Sequence, residues 1–287
     1  MDATPRTAVR IRPKTRAVTT GSPSSRVAVF TSVDGTLLDA LTFLPGACRA
    51  AVRRLLAADI PVIPVSVMTL EEVAPIATDL GLHHAIVVEA DGAIGRWNGS
   101  SWEVESCGPP AETMLEVVRD IEERSGAHLL VYSALPASDA SRLSGRTGPM
   151  LEASTHRCFS EPFVIESGDF EQVRRAAAAI GFAVRRGTRF LHLCRECDKG
   201  EAFSRLREEL GCETTIAVGG SGVDAEFLKR ADIPIIVPRR DGKPDPELMA
   251  SVPHARIAPA PGPVGWAAAV DAVWPSLVDP KKSLRRA

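Results

Sequence analysis

The stretch Val27 to Asp39, VAVFTSVDGTLLD, constrains the fold of this chain more than any other. Val27 to Phe30 is a short apolar run of the length of a buried strand. It breaks into Thr31-Ser32-Val33-Asp34-Gly35-Thr36, which is small, polar and turn-prone. A strand ending in a polar loop is where an open α/β sheet binds ligands, because the binding crevice lies outside the carboxyl ends of parallel strands. The stretch therefore predicts an α/β sheet with its chemistry at one edge.

The rest of the chain supplies the alternation such a sheet needs. Pro45 to Ala58 predicts a helix with Pro at its start, Ile60 to Val65 a strand, and Leu70 to Leu80 a helix closed by Gly81. Ala85 to Val88 predicts a third strand of the parallel sheet. The middle is less regular: a hairpin and linker within Trp97 to Pro110, a helix over Thr113 to Ser125, and a loop or short helices over Asp139 to Ser154. Phe163 to Glu166, Phe182 to Arg185 and Phe190 to Leu193 predict strands around a helix at Phe170 to Ile180. Alternation then resumes with a helix over Gly200 to Leu210, a strand over Thr215 to Val218 and a glycine-rich turn, Gly219 to Gly222. A helix over Val223 to Arg230, a strand over Ile233 to Val237 and a last helix over Ala267 to Trp274 complete it.

The expected architecture is a doubly wound α/β core, residues 26–105 and 190–276, split by an α+β cap over 106–189. A net charge of −2 argues against a nucleic-acid binder, and no apolar run reaches the length of a membrane span. Residues 1–25 carry Arg6, Arg10, Arg12, Lys14 and Arg16 against Asp2 alone, without a hydrophobic signal core. They read as a disordered extension, with an organelle transit peptide as the alternative, and 277–287 reads as a frayed tail. The six cysteines read as reduced thiols of a cytoplasmic protein, mostly buried. Cys194-Arg-Glu-Cys197 is a single CxxC, a weak zinc or redox signal. His83-His84, after Gly81, reads as a surface loop.

Four loops are positioned to converge at the sheet edge. They carry Ser32, Asp34, Gly35 and Thr36; Ser66 and Thr69; Lys199; and Gly219 to Asp224. Hydroxyls, one lysine and backbone amides are what phosphoryl oxygens need. Asp34 and Asp224 are candidate ligands for Mg²⁺, a hard cation that takes oxygen donors. Taken singly, Asp34 in Asp-Gly also fits a turn residue, and Arg157 and Arg189 fit either a carboxylate site or a solvated face.

This order of motifs resembles the haloacid dehalogenase superfamily of phosphatases, and the insert resembles the cap of its subclass IIB. The mannosyl-3-phosphoglycerate phosphatase family is the nearer likeness. It rests on Ile86 to Gly92, Ser160-Glu161-Pro162-Phe163, Gly187 to Leu193, Asp198-Lys199-Gly200-Glu201-Ala202 and Pro261-Gly262-Pro263-Val264-Gly265-Trp266. The resemblance implies hydrolysis of a phosphorylated sugar-glycerate with Mg²⁺. Ser32 then stands at the nucleophile, Asp34 at the acid-base residue, Ser66 and Lys199 at the phosphate ligands, and Asp224 at the metal.

Several positions depart from the family pattern. Ser32 and Gly220 stand where it has aspartates, Val223 where it has asparagine, Met68 where it has lysine, and Ala90-Asp91 within its Glu-Asn-Gly segment. A carboxylate nucleophile gives an acyl-phosphate that water opens readily, whereas serine gives a phosphoester far harder to hydrolyse. Losing two carboxylates also weakens a Mg²⁺ site. The expectation is a phosphate-binding loop with weak or altered turnover; the alternative is an inactive binding protein or regulator. Oligomeric state is left open by the sequence.

Overall fold

The computed structural model describes residues 10–12, 27–195 and 199–278. The strands are β1 (Arg10–Arg12), β2 (Val27–Thr31), β3 (Val62–Pro64), β4 (Ala85–Val88), β5 (Ala93–Trp97), β6 (Trp102–Ser106) and β7 (His128–Val131). β8 (Phe163–Ser167), β9 (Phe182–Arg186), β10 (Leu191–Arg195), β11 (Thr214–Gly219), β12 (Ile233–Ile236) and β13 (Arg256–Ile257) follow. The helices are α1 (Cys48–Ala57), α2 (Leu70–Leu80), α3 (Ala111–Ser125), α4 (Ala137–Ser144) and α5 (Gly148–Thr155). α6 (Phe170–Ala179), α7 (Lys199–Leu210), α8 (Ala225–Lys229), α9 (Pro246–Ser251) and α10 (Gly262–Val278) complete the set. The chain divides into two compact units, one of residues 21–65 and 199–287 and one of 1–20 and 66–198.

The first unit holds a five-stranded sheet in the order β13-β12-β11-β2-β3, parallel at every pairing. β2 is buried along its whole length, as a parallel strand covered on both faces must be. α1 buries Cys48, Ala51, Val52 and Leu55, the i, i+3, i+4, i+7 stripe of an amphipathic helix. Phe30 of β2 packs on Phe203 of α7 at 4.4 Å between ring centres, and Phe203 reaches Phe227 of α8 at 6.5 Å. Burying each such ring contributes about 1.5–3 kcal/mol. The α/β class read from the sequence holds.

The second unit holds two sheets. In one, β4, β5 and β6 form an antiparallel meander with β1 added in parallel on β6. β4 is therefore not the third parallel strand expected of it. Its pairing is decided by the hairpin that follows, since the tight turn at Glu89–Asp91 brings the chain straight back from β4 into β5. In the other sheet, β7-β8-β10-β9 are antiparallel, with α3 and α6 packed through Val118, Ile121, Val173 and Ala177 over Leu129 and Phe163. β10 shares this sheet, so the hydrogen-bonded insert runs past the boundary expected at 189. Asp139 to Ser154 forms the short helices α4 and α5.

Two local readings match residue for residue and one needs correcting. α2 has the expected bounds. Thr69 accepts a hydrogen bond from the Glu72 amide at 3.2 Å, Glu72 accepts from the Thr69 amide at 2.9 Å, and Gly81 ends the helix in the left-handed region. β4 also has the bounds expected. Arg10–Arg12, expected within a disordered extension, is instead strand, because the β6 edge offers it a partner. The rest of residues 1–25, and Cys197 and Asp198, lie outside the described residues.

Candidate functional site

The loop after β2 keeps a tight turn. The Thr36 amide donates to the Val33 carbonyl at 3.2 Å and the Leu38 amide to the same oxygen at 2.9 Å. Gly35 takes φ +74° at the crest, where Asp34 is half-buried with its Oδ1 enclosed. The Ser32 amide donates to the Val218 carbonyl of β11 at 2.8 Å, which fixes the loop to the neighbouring strand. Ser32 itself is buried, and its Oγ donates to the Thr36 Oγ1 at 3.2 Å.

Underneath lies a support that the sequence reading did not anticipate. The Trp266 indole N–H of α10 donates to the Thr31 Oγ1 at 2.8 Å, and that hydroxyl donates to the Ser32 carbonyl at 2.8 Å. Trp266 is fully buried. The only signal for it was Pro261 to Trp266 as a distinctive stretch. Nothing in the spacing tied the tryptophan to residue 31.

The loop after β11 is organised by one carboxylate. Asp224 Oδ2 accepts from the Gly220 amide at 2.9 Å, the Ser221 amide at 3.1 Å and the Ser221 hydroxyl at 3.4 Å. Asp224 is 1% exposed, so these donors are what make its burial tolerable. A Cβ at Gly219 would stand 2.7 Å from Asp224 Cβ, so this close approach requires glycine. The Ser-x-x-Asp spacing of Ser221 and Asp224 is a readable capping box. At Gly220 a Cβ would stand 3.0 Å from Thr36 Oγ1 and 3.4 Å from the Val237 carbonyl. Ser32, Thr36, Gly220 and Asp224 thus form one contiguous patch at the carboxyl ends of β2 and β11.

The acids this edge offers a Mg²⁺ are Asp34 and Asp224 alone. Asp224, expected as a ligand, spends Oδ2 on amides of its own turn, and positions 32 and 220 offer a hydroxyl and a hydrogen. Among the described residues no group of three or more His, Cys, Asp or Glu could hold a metal ion.

The other sequence-derived candidates lie in the second unit, except Lys199. Ser66 is buried, and its Oγ accepts from the Met68 amide at 3.0 Å. Thr69 caps α2 and also donates to the Ala153 carbonyl at 2.9 Å. Arg157 donates to the Val67 carbonyl at 2.7 Å and to Ser160 Oγ at 2.6 Å, with its side chain 4% exposed, so its hydrogen bonds serve the fold. Arg189 is half-buried beside Gly145. Lys199 is the first residue of α7; its side chain lies outside the described ones.

Glu89 is the residue whose use was hardest to foresee. Its Oε1 accepts from the Cys158 amide at 3.0 Å, and its Oε2 from the amides of Phe159 and Ser160 at 2.9 and 3.0 Å and the Ser160 hydroxyl at 3.0 Å. Arg157 stands 3.8 Å away, and Glu89 is 3% exposed. Held this way, Glu89 is not a spare carboxylate for the sheet edge. Cys48 and Cys212 are buried and Cys107 and Cys158 exposed. Burial raises the Cys212 thiol to about 11.

No protein-family model matches the chain. It is 29% identical over 257 residues to a glucosyl-3-phosphoglycerate/mannosyl-3-phosphoglycerate phosphatase of Methanococcoides burtonii, covering 83% of this chain and 93% of that one. A protein of the same name from Persephonella marina is 26% identical over 256 residues, covering 84% and 94%. In structure the chain is similar to a subclass IIB sugar phosphatase of the haloacid dehalogenase superfamily. That match has a TM-score of 0.62 and 15% identity, and covers 86% of this chain and 97% of the other. The fold is therefore of the haloacid dehalogenase type, and the resemblance read from the motifs holds.

Proposed function

We propose that this chain, a relative in sequence of glucosyl-3-phosphoglycerate/mannosyl-3-phosphoglycerate phosphatases, binds a phosphorylated sugar-glycerate and turns it over far more slowly than relatives with an aspartate nucleophile. The observation that carries this reading is the contact set around Thr36. Ser32 Oγ donates to Thr36, and Gly220 leaves its side-chain space to the same oxygen. Both positions are uncharged, so a phosphate dianion meets less repulsion there and does not depend on a metal to offset it. Asp34 is the assigned base; attack by Ser32 would expel the sugar-glycerate alcohol and leave a serine phosphoester that water opens slowly.

Ser66, Thr69 and Lys199 are assigned to the phosphoryl oxygens with the Gly35 and Thr36 loop, as in the family motifs. Arg189 is assigned to the glycerate carboxylate. Arg157 shares that assignment less well, since it already holds Val67 and Ser160. Mg²⁺ is assigned no step. The chain is placed in the cytoplasm, acting on a small phosphoester rather than on nucleic acid or a membrane.

A second reading, a non-catalytic sensor of such a metabolite or a regulator of a protein partner, rests on a separate observation. Asp224 is committed to the amides of its own turn. Titration calorimetry with glucosyl-3-phosphoglycerate and mannosyl-3-phosphoglycerate, with and without Mg²⁺, tests the common ground. Binding in both conditions is expected, and none in either overturns both readings. Phosphate release then separates them. Wild type is expected to run about a thousandfold or more below Ser32→Asp/Gly220→Asp, the scale of losing a member of a catalytic unit. Wild-type turnover at enzyme-like rates overturns the proposal; activity in the double variant alone favours the second reading.

A further inference from the structure

Three consecutive carbonyls are pinned in the loop of residues 66–69. The Ser66 carbonyl accepts from the Ala90 amide at 3.0 Å, the Val67 carbonyl from Arg157 Nη2 at 2.7 Å and the Met68 carbonyl from the Glu89 amide at 2.9 Å. A loop that receives an anion has to turn its carbonyls away, because a carbonyl oxygen repels the phosphoryl oxygen that an N–H attracts. The Ser66 Oγ accepts from the Met68 amide at 3.0 Å, so the hydroxyl keeps its own hydrogen to donate. The loop is thus polarised, with acceptors bound on one side and a donor left over.

Two of the three pinning groups come from a strained pair. Glu89 and Ala90 take φ +53° and +58°, the left-handed region that residues with a Cβ avoid. Such strain persists only where the surroundings over-determine it, and it gathers at functional sites. What it yields here is two successive amides that both reach the same loop. The third pinning group is held in turn. Arg157 also donates to Ser160 Oγ at 2.6 Å and stands 3.8 Å from Glu89 Oε2. Glu89 therefore works at both ends, its amide on Met68 and its carboxylate on the amides of 158–160.

From this geometry we infer that Glu89, Ala90 and Arg157 are positioning residues, a brace that turns the carbonyls of 66–68 away from a bound phosphoryl group and leaves the Ser66 hydroxyl to donate to it. The inference rests on the reading that Ser66 takes a phosphoryl oxygen. It gives Arg157 a task at the phosphate end of the ligand, exerted through the loop, instead of one at the carboxylate.

Titration calorimetry with inorganic phosphate and with 3-phosphoglycerate tests the assignment on the full chain, at a temperature where denaturant curves show each variant folded. A positioning arginine is felt equally by both ligands, since both present a phosphate. An arginine that binds the carboxylate is felt by 3-phosphoglycerate alone. Arg157→Gln is expected to weaken both ligands by the same factor, about tenfold, the scale of one lost hydrogen bond from a charged donor. Arg157→Lys keeps a donor for the Val67 carbonyl and is expected to recover part of that loss. Ala90→Val, whose branched Cβ resists left-handed backbone, is expected to weaken both ligands alike. Ser66→Ala joined to Arg157→Gln is expected to lose less than the product of the two single losses, because the arginine acts through the loop. Unchanged phosphate affinity in Arg157→Gln, or a loss confined to 3-phosphoglycerate, overturns the inference and leaves the proposed function standing. A wild type that binds neither ligand overturns both.

Discussion

Two buried carboxylates in this molecule do similar work over very different distances. Asp224 collects the amides of Gly220 and Ser221, four and three residues before it in the chain. Glu89 collects the amides of Cys158, Phe159 and Ser160, separated from it by 69 to 71 residues. The same division runs through their surroundings. Ser32 meets Thr36 four residues on, whereas Glu72 pairs with Arg146 across 74 residues and Thr69 reaches Ala153 across 84. The Asp224 carboxylate is satisfied within its own turn, and Glu89 by the segment 158–160 far along the chain. The backbone below the first loop is tied at longer range, through the Ser32 amide to Val218 and the Trp266 indole to Thr31.

Breaking the long-range member should cost most. Glu89→Ala orphans three amides, one of them buried, and leaves Arg157 without its buried counter-charge, for an expected loss of about 4 kcal/mol in denaturant unfolding. A loss under about 1 kcal/mol would show that the anion is not what ties residues 158–160 to β4. Asp224→Ala orphans fewer groups, which lie close to solvent at Gly220 and Ser221, and is expected to cost about 2 kcal/mol. The comparison fails if the two losses come out in the opposite order.

The smallest effect concerns Glu161, Glu89's neighbour in the same segment. It accepts from the Ser133 amide and hydroxyl at 3.1 and 2.7 Å. Burial raises its pKa above the ordinary 4.5, against the lowering by those two donors. A carboxyl whose folded value is raised binds more protons folded than unfolded. Its contribution is therefore most favourable below about 4.5 and is lost as pH rises from there through the raised value. Glu161→Gln is expected to remove that fall from a stability-versus-pH curve, leaving a flatter profile over the same window.

The sequence was most informative where structure is local. α2 could be read to the residue because Thr69, Glu72 and Gly81 cap it within its own span. The β2 strand and its polar loop could be read because a parallel strand is apolar on both faces. Where partners are distant, spacing carries no trace of them. Nothing around Glu89 announces the amides of 158–160, and nothing around Trp266 announces the hydroxyl of Thr31. β4 was misassigned because a buried apolar run has the same pattern in parallel and antiparallel company, and only the hairpin to β5 decides. At Asp224 the glycine-rich turn Gly219 to Gly222 was legible, whereas the amides that its carboxylate gathers were not.

The Thr36 hydroxyl makes two separate positions answer to one atom. It receives the Ser32 hydroxyl, and its oxygen lies 3.0 Å from where any side chain at 220 would begin. A side chain added at 220 would ask Thr36 to give by a few tenths of an ångström, and Ser32 would feel that shift through the hydrogen bond. Substitutions at 32 and 220 are therefore expected not to be additive, and Thr36 is the hinge pin of their coupling.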